Sequence, residues 1–262
     1  MASLYKFDLE TPIIVSDFVI FSLIVFPFCG GCTADECRII LFEEPIANRA
    51  IKGHVIRSIL SRSCSDLKKL DPKAKSGICL IDPDGEGRLL PFLVMCDMSN
   101  KDGVGVTVIS HDSENRTLVD NNNPPGDYSR NIYYKDANIT QLVSLVSVSQ
   151  SCEQFIKYEC LGSTLKDGFW VSCDSEKMTY WSGAAPESHM CACGMNKSCE
   201  KSSVNCNCHV NDLKWREDCG FLTNKTHLPV KKLKFGDTDV DAKGNEEKGY
   251  HTLGKFKCYG IA

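Results

Sequence analysis

The hydrophobic rhythm of this 262-residue chain changes along its length, and each change predicts a different kind of structure. Near the start, Phe18 to Phe28 (FVIFSLIVFPF) is an apolar run of 11 residues broken only by Ser22 and Pro27. Small residues follow at once in Cys29-Gly30-Gly31-Cys32-Thr33-Ala34. Such a run has the length of the apolar centre of an export signal and is too short to cross a bilayer as a helix. Two other readings stay open. Pro12 to Phe28 supplies 17 residues for an uncleaved signal anchor, and the run can also be taken as a buried core strand. The flank before it is acidic, with Asp8, Glu10 and Asp17 against the single base Lys6, whereas an export signal usually opens on basic residues.

From Asp35 to Leu70 the chain is charged, with apolar residues at helical spacing at Val55, Ile56, Ile59, Leu60, Leu67 and Leu70. A short amphipathic helix ending before Asp71-Pro72 is predicted, because proline disfavours the helical conformation in the residue before it. No heptad run reaches three repeats, so this helix is expected to pack on its own domain. Beyond Gly77 the pattern shortens to β-like runs between turn formers: Ile78 to Asp82, the Asp82-Pro83-Asp84-Gly85 turn, Pro91 to Cys96, and Val104 to Ser110. Asn121 to Gly126 (NNNPPG) reads as a loop. Ala137 to Ser149 reads as a second helix, with Ile139, Leu142, Val143 and Val146 at helical spacing. From Lys157 onward, strands, tight turns and cysteines alternate to the end. The predicted fold class is α+β, an antiparallel sheet with short helices and long disulfide-stapled loops. The length suits one large domain with an appendage. The expected division is a signal peptide over 1–32, an N-terminal segment over 33–60 that is helical at its end, and the domain over 61–262.

Composition changes the picture in one respect. With 42% hydrophobic and 24% charged residues and a net charge of -4, neither disorder nor a nucleic-acid-binding charge excess is indicated. Cysteine is the unusual component: there are 16, nine of them between Cys152 and Cys219. That density reads as a disulfide framework in an oxidising compartment and as metal binding in the cytosol, so the export signal decides between them. Cleavage after Gly31 leaves 15 cysteines, whereas cleavage after Cys32 or Ala34 leaves 14, and the even count is favoured. Four sequons, at Asn115, Asn138, Asn196 and Asn224, are candidate N-glycosylation sites, and each must lie at the surface if used.

Several segments form a recognisable set. Gly77 with Ile81-Asp82-Pro83-Asp84-Gly85, then Val94-Met95-Cys96-Asp97-Met98, looks like the opening of a fibrinogen-like domain, and a similar opening occurs in the fibrillar collagen C-propeptide. More specific are Val106 to Thr117, Cys152-Glu153-Gln154 with Tyr158 and Cys160, Tyr180-Trp181-Ser182-Gly183, Cys191-Ala192-Cys193-Gly194 and Cys206-Asn207-Cys208. Trp215-Arg216, His227-Leu228-Pro229-Val230 and Gly236-Asp237-Thr238 complete the series. In this order, from about Ser63 to Gly260, they resemble the fibrinogen-like module of contactin-associated proteins and neurexin IV. The resemblance implies an extracellular adhesion or matrix module without catalysis. Its family-type cysteines fall at Cys64, Cys96, Cys152, Cys160, Cys191, Cys193, Cys199, Cys206, Cys208 and Cys258. It implies a bridge from Cys64 to Cys96, and leaves Cys79, Cys173 and Cys219 as additions that suggest extra or altered bridges.

Cys191-x-Cys193 and Cys206-x-Cys208-His209 leave one residue between cysteines where zinc clips leave two to four, so disulfides to distant partners are expected. Asp237-x-Asp239-x-Asp241 has the spacing of a calcium loop, but Ala242 replaces the required glycine and Lys248 the bidentate glutamate. No Gly-x-Ser-x-Gly, His-Glu-x-x-His or glycine-rich phosphate loop occurs, and His54, His111, His189, His209, His227 and His251 are scattered singly. Tyr180-Trp181 suits a buried loop core better than a sugar pocket. The expectation is therefore a secreted, extracellular protein with no catalytic residue, cofactor or metal. Its expected partners are extracellular matrix or cell-surface proteins or glycans, with no nucleic acid and no membrane span after signal cleavage. The alternative is a lectin-like protein that recognises glycans or acetylated ligands.

Overall fold

The computed structural model describes residues 60–101 and 103–262. The apolar run at 18–28, the cleavage region, and the part of the first expected helix from Val55 to Ile59 lie outside the described residues. In chain order the first elements are α1 (Cys64–Leu70), β1 (Gly77–Ile81), β2 (Phe92–Lys101), β3 (Val104–Ile109), β4 (Thr117–Val119) and β5 (Tyr128–Asn131). Then come α2 (Ile139–Val148), β6 (Ser151–Leu161), β7 (Phe169–Val171), β8 (Lys177–Met178) and α3 (Ala192–Met195). After a 3-10 turn at Asn207–Val210 follow β9 (Arg216–Leu222), β10 (Lys232–Phe235) and β11 (Lys248–Tyr259). Two antiparallel sheets result. The larger has the order β1-β2-β3-β11-β6-β9 with β4 also on β11, and the smaller has the order β5-β10-β7-β8.

The two longest strands show why the larger sheet forms. β6 (SCEQFIKYECL) buries every second side chain, and so does β11 up to Leu253. Period-two alternation places one set of side chains in the core and the other on the outward face. The register between the two shifts between Leu253 and Phe256, which restores the alternation after Gly254 and Lys255. Cys152 and Cys258 are register partners across this pair and are bridged.

α1 starts where Ser63 caps it, its hydroxyl accepting from Asp66 N at 3.1 Å. The helix is pinned to the sheet by Cys64 N donating to Thr107 Oγ1 at 3.0 Å and by the Cys64–Cys96 bridge. α2 begins in a reciprocal capping box between Asn138 and Gln141. Its buried residues Leu142, Leu145, Val146 and Val148 face the core, while Val143, assigned to the same face by spacing, is exposed. The core also holds Ile156, Tyr158, Trp170, Trp181, Phe235 and Phe256, and the Tyr158 and Phe235 rings stack at 4.3 Å. The strand content after Lys157 extends the sequence expectation backwards, since β6 already begins at Ser151. Gln154 hid it: a polar residue occupies a fully buried position, its carbonyl oxygen accepting from Val230 N and Tyr134 OH and its amide donating to Gly254 O.

Candidate functional site

Ten of the cysteines singled out in the sequence pair with one another: Cys64–Cys96, Cys152–Cys258, Cys160–Cys208, Cys191–Cys206 and Cys193–Cys199. Three of these bridges staple one loop region, from Cys191 to Cys208, back onto β6 and onto itself. Asp218 on β9 finishes the job with its buried carboxylate, which accepts from Asn207 N at 3.0 Å and Cys208 N at 2.8 Å. Burial holds that carboxyl above its ordinary range. One ligand atom from each of Cys191, Cys206 and Asp218 lies within 4.8 Å of the others, but the two sulfurs are bonded to each other and are not thiolates. Cys79 is buried on β1. Cys173 is half-buried and Cys219 exposed on β9, and neither forms a bridge within the described residues, so no rearranged bridge involves them there. Burial raises both thiols.

The acidic stretch after Gly236 folds as turns. Asp241 Oδ1 accepts from Lys243 N and Asn245 N, both at 2.8 Å, and Asp237 Oδ2 accepts from Thr164 N at 2.9 Å. Glu247 is pushed up to about 7, first by burial and then by the charges of Asp237, Asp241 and Asp239.

The histidines do not converge. His111 Nε2 lies 2.9 Å from Gly254 O while Nδ1 accepts from Ser113 N, which places the proton on Nε2. His251 is fully buried with Nε2 2.8 Å from Tyr128 OH, and burial lowers it to about 4, as it does His209. His227 Nδ1 meets Tyr180 OH at 2.9 Å, and His189 meets Thr179. His54 lies outside the described residues. Tyr180 and Trp181 are buried, and Trp170 Nε1 donates to Tyr180 O at 2.7 Å.

Asn115, Asn138 and Asn196 are exposed and Asn224 is half-buried. Asn138 uses Oδ1 to cap α2, and Asn224 Oδ1 accepts from its own sequon's Thr226 at both N and Oγ1.

The outward face of the larger sheet holds most of the remaining surface features. At its β1 end lie exposed Ile78, Leu93 and Met95, with Ile78 paired to Met95 and Leu80 to Leu93. At its β9 end charge and aromaticity mix. Arg116 donates to both oxygens of Glu159 (2.8 and 3.3 Å) while its guanidinium lies 3.2 Å above the Tyr250 ring. Lys157 Nζ sits 2.7 Å from Glu217. Arg216, itself buried, donates to both oxygens of Asp212 at 2.8 Å and also contacts Glu200. That pairing lowers Asp212 to about 2. Trp215 lies beside Tyr250 at 5.7 Å and is 50% exposed. Of these groups, Arg116, Glu159, Glu200, Trp215, Arg216 and Glu217 line a cleft of about 330 Å³. Sequence reasoning named Trp215-Arg216 only as part of a motif, because nothing in the local pattern brings Arg116, Glu159 and Tyr250 to the same place.

Neurexin-4 of Drosophila melanogaster is 37% identical over 209 residues, covering 76% of this chain and 16% of that protein. The chain is homologous to a segment of neurexin-4. Contactin-associated protein 1 of Homo sapiens is 33% identical over 216 residues, or 80% of this chain and 15% of that protein, and the Mus musculus form is 35% identical over the same length. The chain thus spans about one sixth of the length of the curated relatives it matches. No protein-family model matches it. Among the described residues no helix is long and apolar enough to cross a membrane.

Proposed function

We propose that the chain is a secreted, disulfide-stapled fibrinogen-like module, extending over about 61–262, that acts by non-catalytic binding in cell adhesion or the extracellular matrix. The homology to neurexin-4 and contactin-associated protein 1, over as much as 80% of the chain, carries this reading. Five internal bridges agree with it, since such bonds persist where the surroundings are oxidising. So does the placement of Asn115, Asn138 and Asn196, whose exposure leaves room for glycans, with Asn224 the most constrained of the four. One relative is named for association with contactin, so a contactin-like cell-surface protein is the first partner class to test.

Expression in animal cells tests the reading. The protein is expected in the medium, with N-glycans and oxidised cysteines, and it should bind intact cells saturably while binding protease-shaved cells poorly. Retention inside the producing cell, or equal binding to shaved and intact cells, overturns it. The second reading, glycan recognition, is favoured by the cleft beside Trp215.

A further inference from the structure

We infer that the cleft beside Trp215 is a saccharide-binding subsite for a neutral sugar ring. The assignment gives the second reading above a place and rests on it, and nothing in it depends on a protein partner. A sugar ring presents a C–H face to an aromatic plane and hydroxyls, both donors and acceptors, around its edge. The cleft offers those two things. Trp215 presents half its surface to solvent while backed by Tyr250, and amphipathic rings of this kind provide a large contact area at low entropic cost. Around it stand the guanidiniums of Arg116 and Arg216 and the carboxylates of Glu159, Glu200 and Glu217.

Charge argues against the other ligand classes. Among the residues that line the cleft, Arg116 is matched by Glu159, Arg216 by Asp212 and Glu200, and Glu217 by Lys157. An anion would meet three glutamates and no unpaired cation in that lining, and a cationic ligand would find each lining carboxylate already occupied. An apolar ligand would leave these salt-bridged groups desolvated without compensation. A neutral polyhydroxyl ligand can bond to the free lone pairs and N–H groups without breaking any pair. The groups are also held in place before binding: Arg116 is clamped between Glu159 and the Tyr250 ring, so little ordering is required. At about 330 Å³ the cleft lies at the small end of ligand sites, which suits one or two rings.

Two sources of sugar are possible in principle, and one is on the same chain. The sequon asparagine Asn115 is exposed, immediately precedes Arg116, and leads into β4, where Leu118 pairs with Tyr250. A glycan on Asn115 therefore starts at the edge of the cleft. The other source is a glycan on another molecule.

Fluorescence tests both, because Trp170 and Trp181 are buried and Trp215 is the exposed member of the three tryptophans. Enzymatically deglycosylated protein is titrated with N,N′-diacetylchitobiose and with mannobiose, and acrylamide quenching and the Trp215 indole NMR signal are followed. The expected result is saturable protection of Trp215 with a Kd on the order of 1 mM. Trp215→Ala should weaken binding about tenfold or more, judged from indole-independent amide shifts, while Trp215→Phe retains it. Unchanged melting of both variants shows that folding is intact. In a second arm the glycosylated protein is compared with its Asn115→Gln variant without added sugar. Protection of Trp215 that disappears in Asn115→Gln identifies the chain's own glycan as the occupant, and protection seen only with added sugar identifies an external one. No protection in either arm, or binding unaffected by Trp215→Ala, overturns the assignment while leaving the cell-binding experiment to stand by itself.

Discussion

Gly249 and Glu247 lie two positions apart, and each has an environment that a substitution can read. A Cβ at Gly249 would come within 2.2 Å of the Tyr158 hydroxyl, which is fully buried, bonded to Ser163 at 2.7 Å and part of the ring stack with Phe235. Tyr158 has nowhere to move, so Gly249→Ala is expected to destabilise by about 1–3 kcal/mol, measured by urea unfolding. Glu247 behaves oppositely. Its folded pKa, about 7, lies above the ordinary carboxyl value, so the native state holds this proton more tightly than the unfolded chain does. The stability it contributes is present at low pH and is lost as pH rises through 7. Glu247→Gln should therefore melt above the natural protein at pH 8, with the gap smaller at pH 5 and closed only below the ordinary carboxyl value, where the unfolded chain also holds the proton. The gap should be a few degrees, at about 2–4 °C per kcal/mol for a domain of this size. Identical melting at both pH values would contradict the repulsion described among Glu247, Asp237, Asp239 and Asp241. Neither environment is legible in the sequence: Tyr158 meets Gly249 from β6, and Glu247 meets Asp237, Asp239 and Asp241 only through the folding of the turns before β11.

Among the elements, β6 and β11 form the centre of the larger sheet, and the Cys152–Cys258 bridge joins them across 106 residues of sequence. Cys193–Cys199 closes a loop of only 6. Restricting a longer loop in the unfolded chain removes more entropy, so removal of the two bridges should differ in cost. Replacing Cys152 and Cys258 by alanine is expected to lower stability by about 4–5 kcal/mol, and replacing Cys193 and Cys199 by about 2 kcal/mol. Guanidinium unfolding of the two double variants measures the order, and equal losses would show that native-state packing outweighs loop entropy. The elements themselves were unevenly legible. The helix expected over Ala137–Ser149 occurs at Ile139–Val148, because a cap and an apolar stripe are local signals. The start of β6 is not legible in the sequence, because the position of Gln154 acquires its meaning from Tyr134, Val230 and Gly254, which are distant in sequence.

For the whole molecule, pH response follows from which titrating groups the two sheets enclose. Burial depresses His251 and His209 to about 4 and lowers His111 as well. Their unfolded forms take up protons near pH 6.5 and their folded forms do not, so the stability they leave intact at neutral pH is lost as pH falls from 6.5 towards 4. Raised carboxyls at Glu247, Asp218 and Asp237 act in the other direction over part of this range. His251→Phe separates the two effects. The variant should lose less stability than the natural protein between pH 7.5 and pH 5, by about 2 kcal/mol, in chemical denaturation at the two pH values. Parallel losses would mean that His251 is not the group responsible.

Apart from the cysteine set and the Cys64–Cys96 bridge, which the family resemblance implied, the amino-acid sequence alone determined a cysteine-rich chain of α+β character and the second helix. These are local in nature: a residue type, a spacing or a turn carries each of them. Tertiary structure decided which cysteine meets which in the other four bridges, because strand pairing joins Cys152 to Cys258 and loop packing joins the rest, and sequence spacing selects neither. It also decided that Tyr180 and Trp181 are core while Trp215 is surface. All are aromatic residues in recognisable motifs, and only the packing of β9 at the sheet edge leaves Trp215 beside Tyr250, Arg116 and a set of neutralised charges.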